Sequence, residues 1–179
     1  WNETDIDSAL VSLSRFAPTP VDRSKKVAAG RERGLMEAVD ILFGDGDKLA
    51  RDMAYSKAMK VLHEAYPYDD EIATLYALSI LGAVRPGDKG FGPQIRAGAI
   101  ALDVFQRNPR HPGAAHLIIH AFDDPEHAIL ALPAAKVYAD IAPAAAHALH
   151  MPSHIFLQLG MWDPVIQSNK VSYKAALKH

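Results

Sequence analysis

The chain of 179 residues contains no cysteine. That absence excludes a disulfide framework, a thiolate nucleophile, an iron–sulfur cluster and any zinc site built on sulfur, and it leaves the redox compartment open. An excess of one charge is also missing. Lys and Arg number 19 against 21 Asp and Glu, for a formal net charge of -2. A polyanion-binding surface is not expected from that balance, and nucleic acid is set aside as a partner. No apolar run reaches the roughly 18 to 20 residues of a membrane span. The richest region, Ala128 to His150, is broken by Lys136, Asp140 and Pro143, so a soluble protein is expected. The chain opens on Trp1 rather than Met, and Trp1-Asn2-Glu3-Thr4-Asp5 has neither the basic start nor the apolar centre of a signal peptide. It reads as a fragment or processed form, with its compartment unassigned.

Two residue types are abundant instead. Ala occurs 30 times, and seven of the nine His lie between His111 and His154. Hydrophobic residues at 49% are enough to bury a core, which excludes disorder.

The Ala residues carry a repeat. Helical runs end at Asn108-Pro109 and at Ala142-Pro143, so the two prolines mark one period of the chain. Before them stand Ala97 and Ala101, then Ala131 and Ala135, at matching offsets. Small residues four apart on a helix let a neighbouring helix approach closely. Ala54 and Ala58 before Tyr66-Pro67 have the same form, displaced by the glycine- and proline-rich loop at residues 85–93. No period-two alternation is sustained, so the fold class is all-α.

A ladder of four antiparallel helical hairpins follows, after an N-terminal segment at 1–20. Hairpin one occupies 21–67, with helices over Val21 to Phe43 and Lys48 to Tyr66 around the turn Gly44-Asp45-Gly46-Asp47. Hairpin two occupies 68–109, with helices over Asp70 to Ala83 and Gln94 to Arg107. Hairpin three occupies 110–143, with helices over Gly113 to Phe122 and Pro125 to Ile141. Hairpin four occupies 144–179, with helices over Ala144 to Leu159 and Pro164 to Leu177. Asp124-Pro125 and Asp163-Pro164 place an acceptor and a proline where helix starts use them, and Gly160 supplies a C-terminal stop.

The period from Pro109 to Pro143, with a turn Gly, an Ala in the second helix and a closing Pro, resembles the tetratricopeptide repeat (TPR), a helix–turn–helix unit of about 34 residues. Leu159-Gly160-Met161-Trp162 followed by Val165 and Ala175-Ala176 is the best match, although Val165 and Glu126 depart from it. A more specific string runs through His111-Pro112-Gly113, His116, Ile119-His120, Asp123, Pro125 and Ile141-Ala142-Pro143. It continues in His147-Ala148-Leu149-His150-Met151-Pro152-Ser153-His154-Ile155-Phe156. It resembles a family of uncharacterised bacterial TPR proteins, tightly over residues 94 to 169 and more loosely over 48 to 93. The resemblance implies a TPR-like α-solenoid whose first helices line a concave groove for a peptide or protein segment; it carries no established activity.

The histidines give that groove a possible chemistry. His116 and His120 share a helix face, as do His150 and His154. The two pairs hold the same place in successive repeats, His116 matching His150 and His120 matching His154. Their imidazoles are candidate ligands for zinc, copper or nickel, with Asp123 and His147 as further ligands or outer partners. Groove-lining or structural histidines remain the competing reading, and proton transfer a third. In the groove reading His111, Asp123, His147 and Phe156 join the binding surface, although His111 before Pro112 also suits a helix start and Phe156 and Trp162 also suit an inter-helix seam. Pro152 removes a helical hydrogen bond between His150 and His154 and is expected to kink the pair. Neither pair encloses the Glu that a zinc peptidase helix requires, so no catalytic residue is assigned and enzymatic activity is not the leading expectation. His127 is expected at the surface, and the basic residues Arg15, Arg23, Lys25, Lys26, Arg31 and Arg33 on a solvated face.

Overall fold

A computed structural model describes residues 6–85, 87 and 90–178. The opening run at 1–5 and three residues of the expected loop, Pro86, Asp88 and Lys89, lie outside the described residues. All regular structure among the described residues is helical, and the chain divides at 88/89 into two compact units.

The first unit contains α1 (Ile6–Phe16), α2 (Pro20–Lys26), α3 (Arg31–Leu42), α4 (Lys48–Ala65) and α5 (Asp70–Gly82). Helix α4 packs against both α3 and α5. The single helix expected from Val21 to Phe43 is two. Val27 is extended, and Gly30 adopts φ 86, a conformation that side chains with a Cβ disfavour. The basic cluster is not wholly solvated. Arg23 is buried, with its guanidinium 2.7 Å from Asp40 Oδ1 and donating to the Ala17 carbonyl at 2.9 Å. Arg31 grips Asp69 through two nitrogens. Ala54 is exposed and Ala58 only half-buried, so the Ala signal of this unit does not mark its seam; Met59 is the fully buried residue of α4.

The second unit contains α6 (Gly92–Arg107), α7 (Pro112–Ala121), α8 (Ala128–Ile141), α9 (Ala146–His150), α10 (Pro152–Gln158) and α11 (Trp162–Ala176). Helix α7 packs on α6 and α8, while α9 and α10 pack on α8 and α11. Here the Ala pattern holds: Ala97, Ala101, Ala131 and Ala135 are all buried. Ile118, Ile119 and Ile155 are fully buried beside them, each contributing about 1.5–3 kcal/mol of transfer free energy. Gly98 receives the Phe122 ring so closely that a Cβ there would lie 2.2 Å from its Cζ. That contact seats the turn carrying Asp123.

The helix ends show what capping rules read well and what they misplace. Gly160, at φ 68, closes α10 as expected, with the Met161 N–H reaching back to the Phe156 carbonyl at 2.8 Å. Asp124 accepts from the backbone of Glu126 and His127 at 2.9 and 3.0 Å, but it ties a turn, and α8 begins only at Ala128. Asp163 lies in the first turn of α11 rather than capping it, and Trp162 is 64% exposed rather than in a seam. His127 is half-buried, not on the open surface. Its Nδ1 meets Asp124 Oδ1 at 2.9 Å, and its ring lies against Phe91 and Phe122.

Candidate metal centre

Helix α7 places His116 and His120 one turn apart on one face, and their Nε2 atoms are 3.0 Å apart. From the neighbouring α9, His147 brings its own Nε2 to 3.0 Å from that of His116. One ligand nitrogen from each of the three lies within 4.8 Å of the others. The plane of the His116 ring is fixed from below by Tyr138 of α8, stacked at 5.6 Å and 14°.

These contacts are not an ordinary hydrogen-bond network. An imidazole nitrogen carries either one hydrogen or one in-plane lone pair. His116 Nε2 therefore forms one good hydrogen bond, not two, yet it has two nitrogen neighbours at bonding distance. A tetrahedral ion with metal–nitrogen bonds of about 2.0–2.1 Å holds its ligand nitrogens about 3.3 Å apart, close to the two 3.0 Å separations at His116. His116 is half-buried while His120 and His147 are exposed, so the triad opens to solvent on one side.

The electrostatics of His116 and His120 favour their neutral form, the form that binds metal. Partial burial, reinforced by His120 and His147, lowers the His116 pKa from 6.5 to about 4. His120 is lowered as well, by loss of solvent around its ring first and then by His147 and His154, with Asp123 opposing.

Beside the triad, His150 and His154 also bring their Nε2 atoms to 3.0 Å. Their other nitrogens are held: His154 Nδ1 by Asp123 Oδ2 at 2.8 Å, and His150 Nδ1 by Asn169 Oδ1 at 2.8 Å. Gln158 donates to the second Asp123 oxygen at 3.1 Å, and the Asn169 amide nitrogen donates to the Val165 carbonyl at 2.9 Å. The expected kink at Pro152 does not separate this pair. Met151 keeps helical angles, φ -51 and ψ -38, so the proline interrupts the hydrogen bonding and not the direction of the chain.

The structure gathers the side chains that the sequence singles out, but it groups them differently. Equivalent positions in successive hairpins, such as His116 and His150, are one full repeat apart. The side chains that touch across α7 and its neighbours, His116 with His147 and Asp123 with His154, are 31 apart. His147 thus completes the first cluster, and His150 and His154 form their own. Two of the residues offered for the groove take the alternative places the sequence allows them. His111 is buried and caps α7, its Nδ1 accepting from the Ala114 N–H at 3.1 Å. Phe156 is buried in the core. Ser153 is buried, 3.5 Å from His150 Nδ1, with no glycine-flanked turn to expose it. Tyr138, Gln158 and Asn169 carry no motif in the sequence; only the fold brings them to the site.

No protein-family model matches the chain, and no curated protein does. A solved structure, MamA MSR-1 C2, aligns with a TM-score of 0.65 at 13% identity, covering 97% of this chain and 92% of that one. At that identity the likeness speaks to architecture alone. Together with the all-helical hairpins described above, it shows that this chain has a TPR-like α-solenoid fold.

Proposed function

We propose that this protein binds a divalent transition-metal ion on His116, His120 and His147. The observation that supports the reading is the double contact at His116 Nε2, with two other imidazole nitrogens at 3.0 Å. Neutral imidazole suits zinc, copper and nickel, and the absence of thiolate and of a carboxylate in the triad disfavours ions that demand sulfur or oxygen. Three protein ligands with one side open leave a coordination position for water or for a group from a partner. Metal content measured by mass spectrometry on protein purified without a polyhistidine tag tests this. A retained ion that both His116→Ala and His147→Ala remove supports it, and wild-type protein that takes up no zinc, copper or nickel refutes it.

The second reading is an interaction module that holds a peptide or protein segment in its groove. The TPR-like fold favours it, because stacked hairpins present an extended face to a partner. The two readings are compatible if a partner side chain fills the open metal position. A peptide-binding screen in which metal removal leaves capture unchanged would separate them.

A further inference from the structure

We infer that the patch holds a second metal ion, bound by Nε2 of His150 and Nε2 of His154. The inference rests on the reading of the adjoining triad as a metal site, but a different observation carries it.

The outer nitrogens of this pair settle the positions of its hydrogens. The Asp123 carboxylate only accepts, so His154 Nδ1 is the donor in their 2.8 Å contact. Asn169 uses its amide nitrogen on the Val165 carbonyl, which turns its oxygen toward His150; His150 Nδ1 is then the donor there as well. With both hydrogens on Nδ1, each neutral ring presents a bare lone pair at Nε2. Two lone pairs facing each other at 3.0 Å repel. The arrangement is stable only with a positive species between them, either a metal ion or one added proton.

The surroundings select the ion. A histidine whose second nitrogen donates to a carboxylate or amide oxygen is oriented and made more basic toward a metal, and such outer partners are usual around bound ions. Here both rings have one, and the Asp123 carboxylate is itself fixed by Gln158. The two ligands come from successive helices, α9 and α10, whose direction Met151 preserves. The second ion has two imidazole ligands from the chain, with its other positions filled from solution. Its chemistry is that of a borderline divalent cation, zinc or copper, rather than an oxygen-seeking one.

The test is zinc stoichiometry by mass spectrometry on metal-free protein reloaded with zinc and freed of excess by gel filtration, with helix content checked by circular dichroism. Two ions per wild-type chain are expected, and one in both the His150→Ala/His154→Ala and His116→Ala/His147→Ala variants. Asp123→Asn, which keeps every imidazole, should weaken the second ion about 10- to 100-fold and leave the first. One ion per wild-type chain that survives loss of His150 and His154 overturns the second site alone, and assigns a shared proton to the pair. One ion lost in both double variants shows a single shared site and also overturns it. Wild-type protein that retains no zinc, nor copper or nickel when reloaded with those ions, overturns this inference and the triad together.

Discussion

Asp123 and His154 are joined by a 2.8 Å hydrogen bond across 31 residues, a whole helical hairpin. The same offset joins His116 to His147. Neighbouring first helices are thus out of step with the repeat by about three residues, or about 4.5 Å of helix rise. That stagger decides which imidazoles meet.

The ring stacked beneath His116 is expected to hold the triad rather than merely fill space. Tyr138→Phe should preserve zinc affinity, because the stacking face remains. Tyr138→Ala should weaken it about threefold to tenfold, in line with the roughly 0.5–1.5 kcal/mol typical of an aromatic contact. Competition titration against a colorimetric chelator checks the order, and equal affinities in the two variants would show that Tyr138 does not position His116.

Acid should act on the patch through His116. Its pKa is about 4 in the folded protein against 6.5 for an unperturbed side chain, because burial and the neighbouring rings disfavour its charge. The unfolded chain therefore binds the proton more tightly. The stability that follows from a neutral His116 is complete above pH 6.5 and is lost as the pH falls from there through about 4. Urea midpoints of metal-free protein should drop across that window, and His116→Gln should flatten the drop. Zinc release is expected over the same range, since protons and metal compete for the same lone pair.

Gly98 and Gly34 should respond differently to alanine. At Gly98 the added carbon meets the ring of buried Phe122 at 2.2 Å, and that ring is packed against His127. Destabilisation of about 1–3 kcal/mol is expected, as for other overpacked cores. At Gly34 the obstacle is the tip of Leu62, a flexible side chain that can turn away. The helix-propensity gain of about 1 kcal/mol should then offset the crowding. Denaturation midpoints of the two variants provide the comparison; a stable Gly98→Ala protein would contradict the packing described around Phe122.

In the first unit, Asp69 both caps α5, accepting from the Ile72 N–H at 3.0 Å, and pairs with Arg31. The Arg31 hydrogen bond, with help from the backbone, holds its pKa below 3.8, so its contribution is present above that value and fades as the pH falls through the lowered one. Asp69→Ala should cost about 1–2 kcal/mol, mostly through the lost cap. Asp69→Asn keeps an acceptor at the cap and should cost less than about 1 kcal/mol, since the ion pair is partly exposed. Thermal unfolding at pH 7 distinguishes them.

Much of this architecture is legible in the residues. Ala97, Ala101, Ala131 and Ala135 lie in the seams their spacing implies, and Gly160 ends its helix as a C-cap glycine should. Periodicity could not reveal the break at Gly30, because the sequence does not show which glycine will take a positive φ. Nor could it place His147 against His116. A repeat length identifies equivalent positions, whereas contact depends on how far one helix slides along the next, which the packed side chains determine. Asn169 and Gln158 reach the histidines from outside the motif, and no local pattern marks either residue.

The most direct measurement is the thermal shift of metal-free protein on adding zinc, for wild type beside His116→Ala and His147→Ala. Free zinc at about a hundredfold excess over the dissociation constant stabilises the folded state by about 2.7 kcal/mol. A clear rise in melting temperature for wild type, reduced in both variants, is the expected result. A wild-type melting temperature unmoved by zinc, copper or nickel, or a rise of undiminished size when either histidine is removed, would contradict a metal ion on His116, His120 and His147.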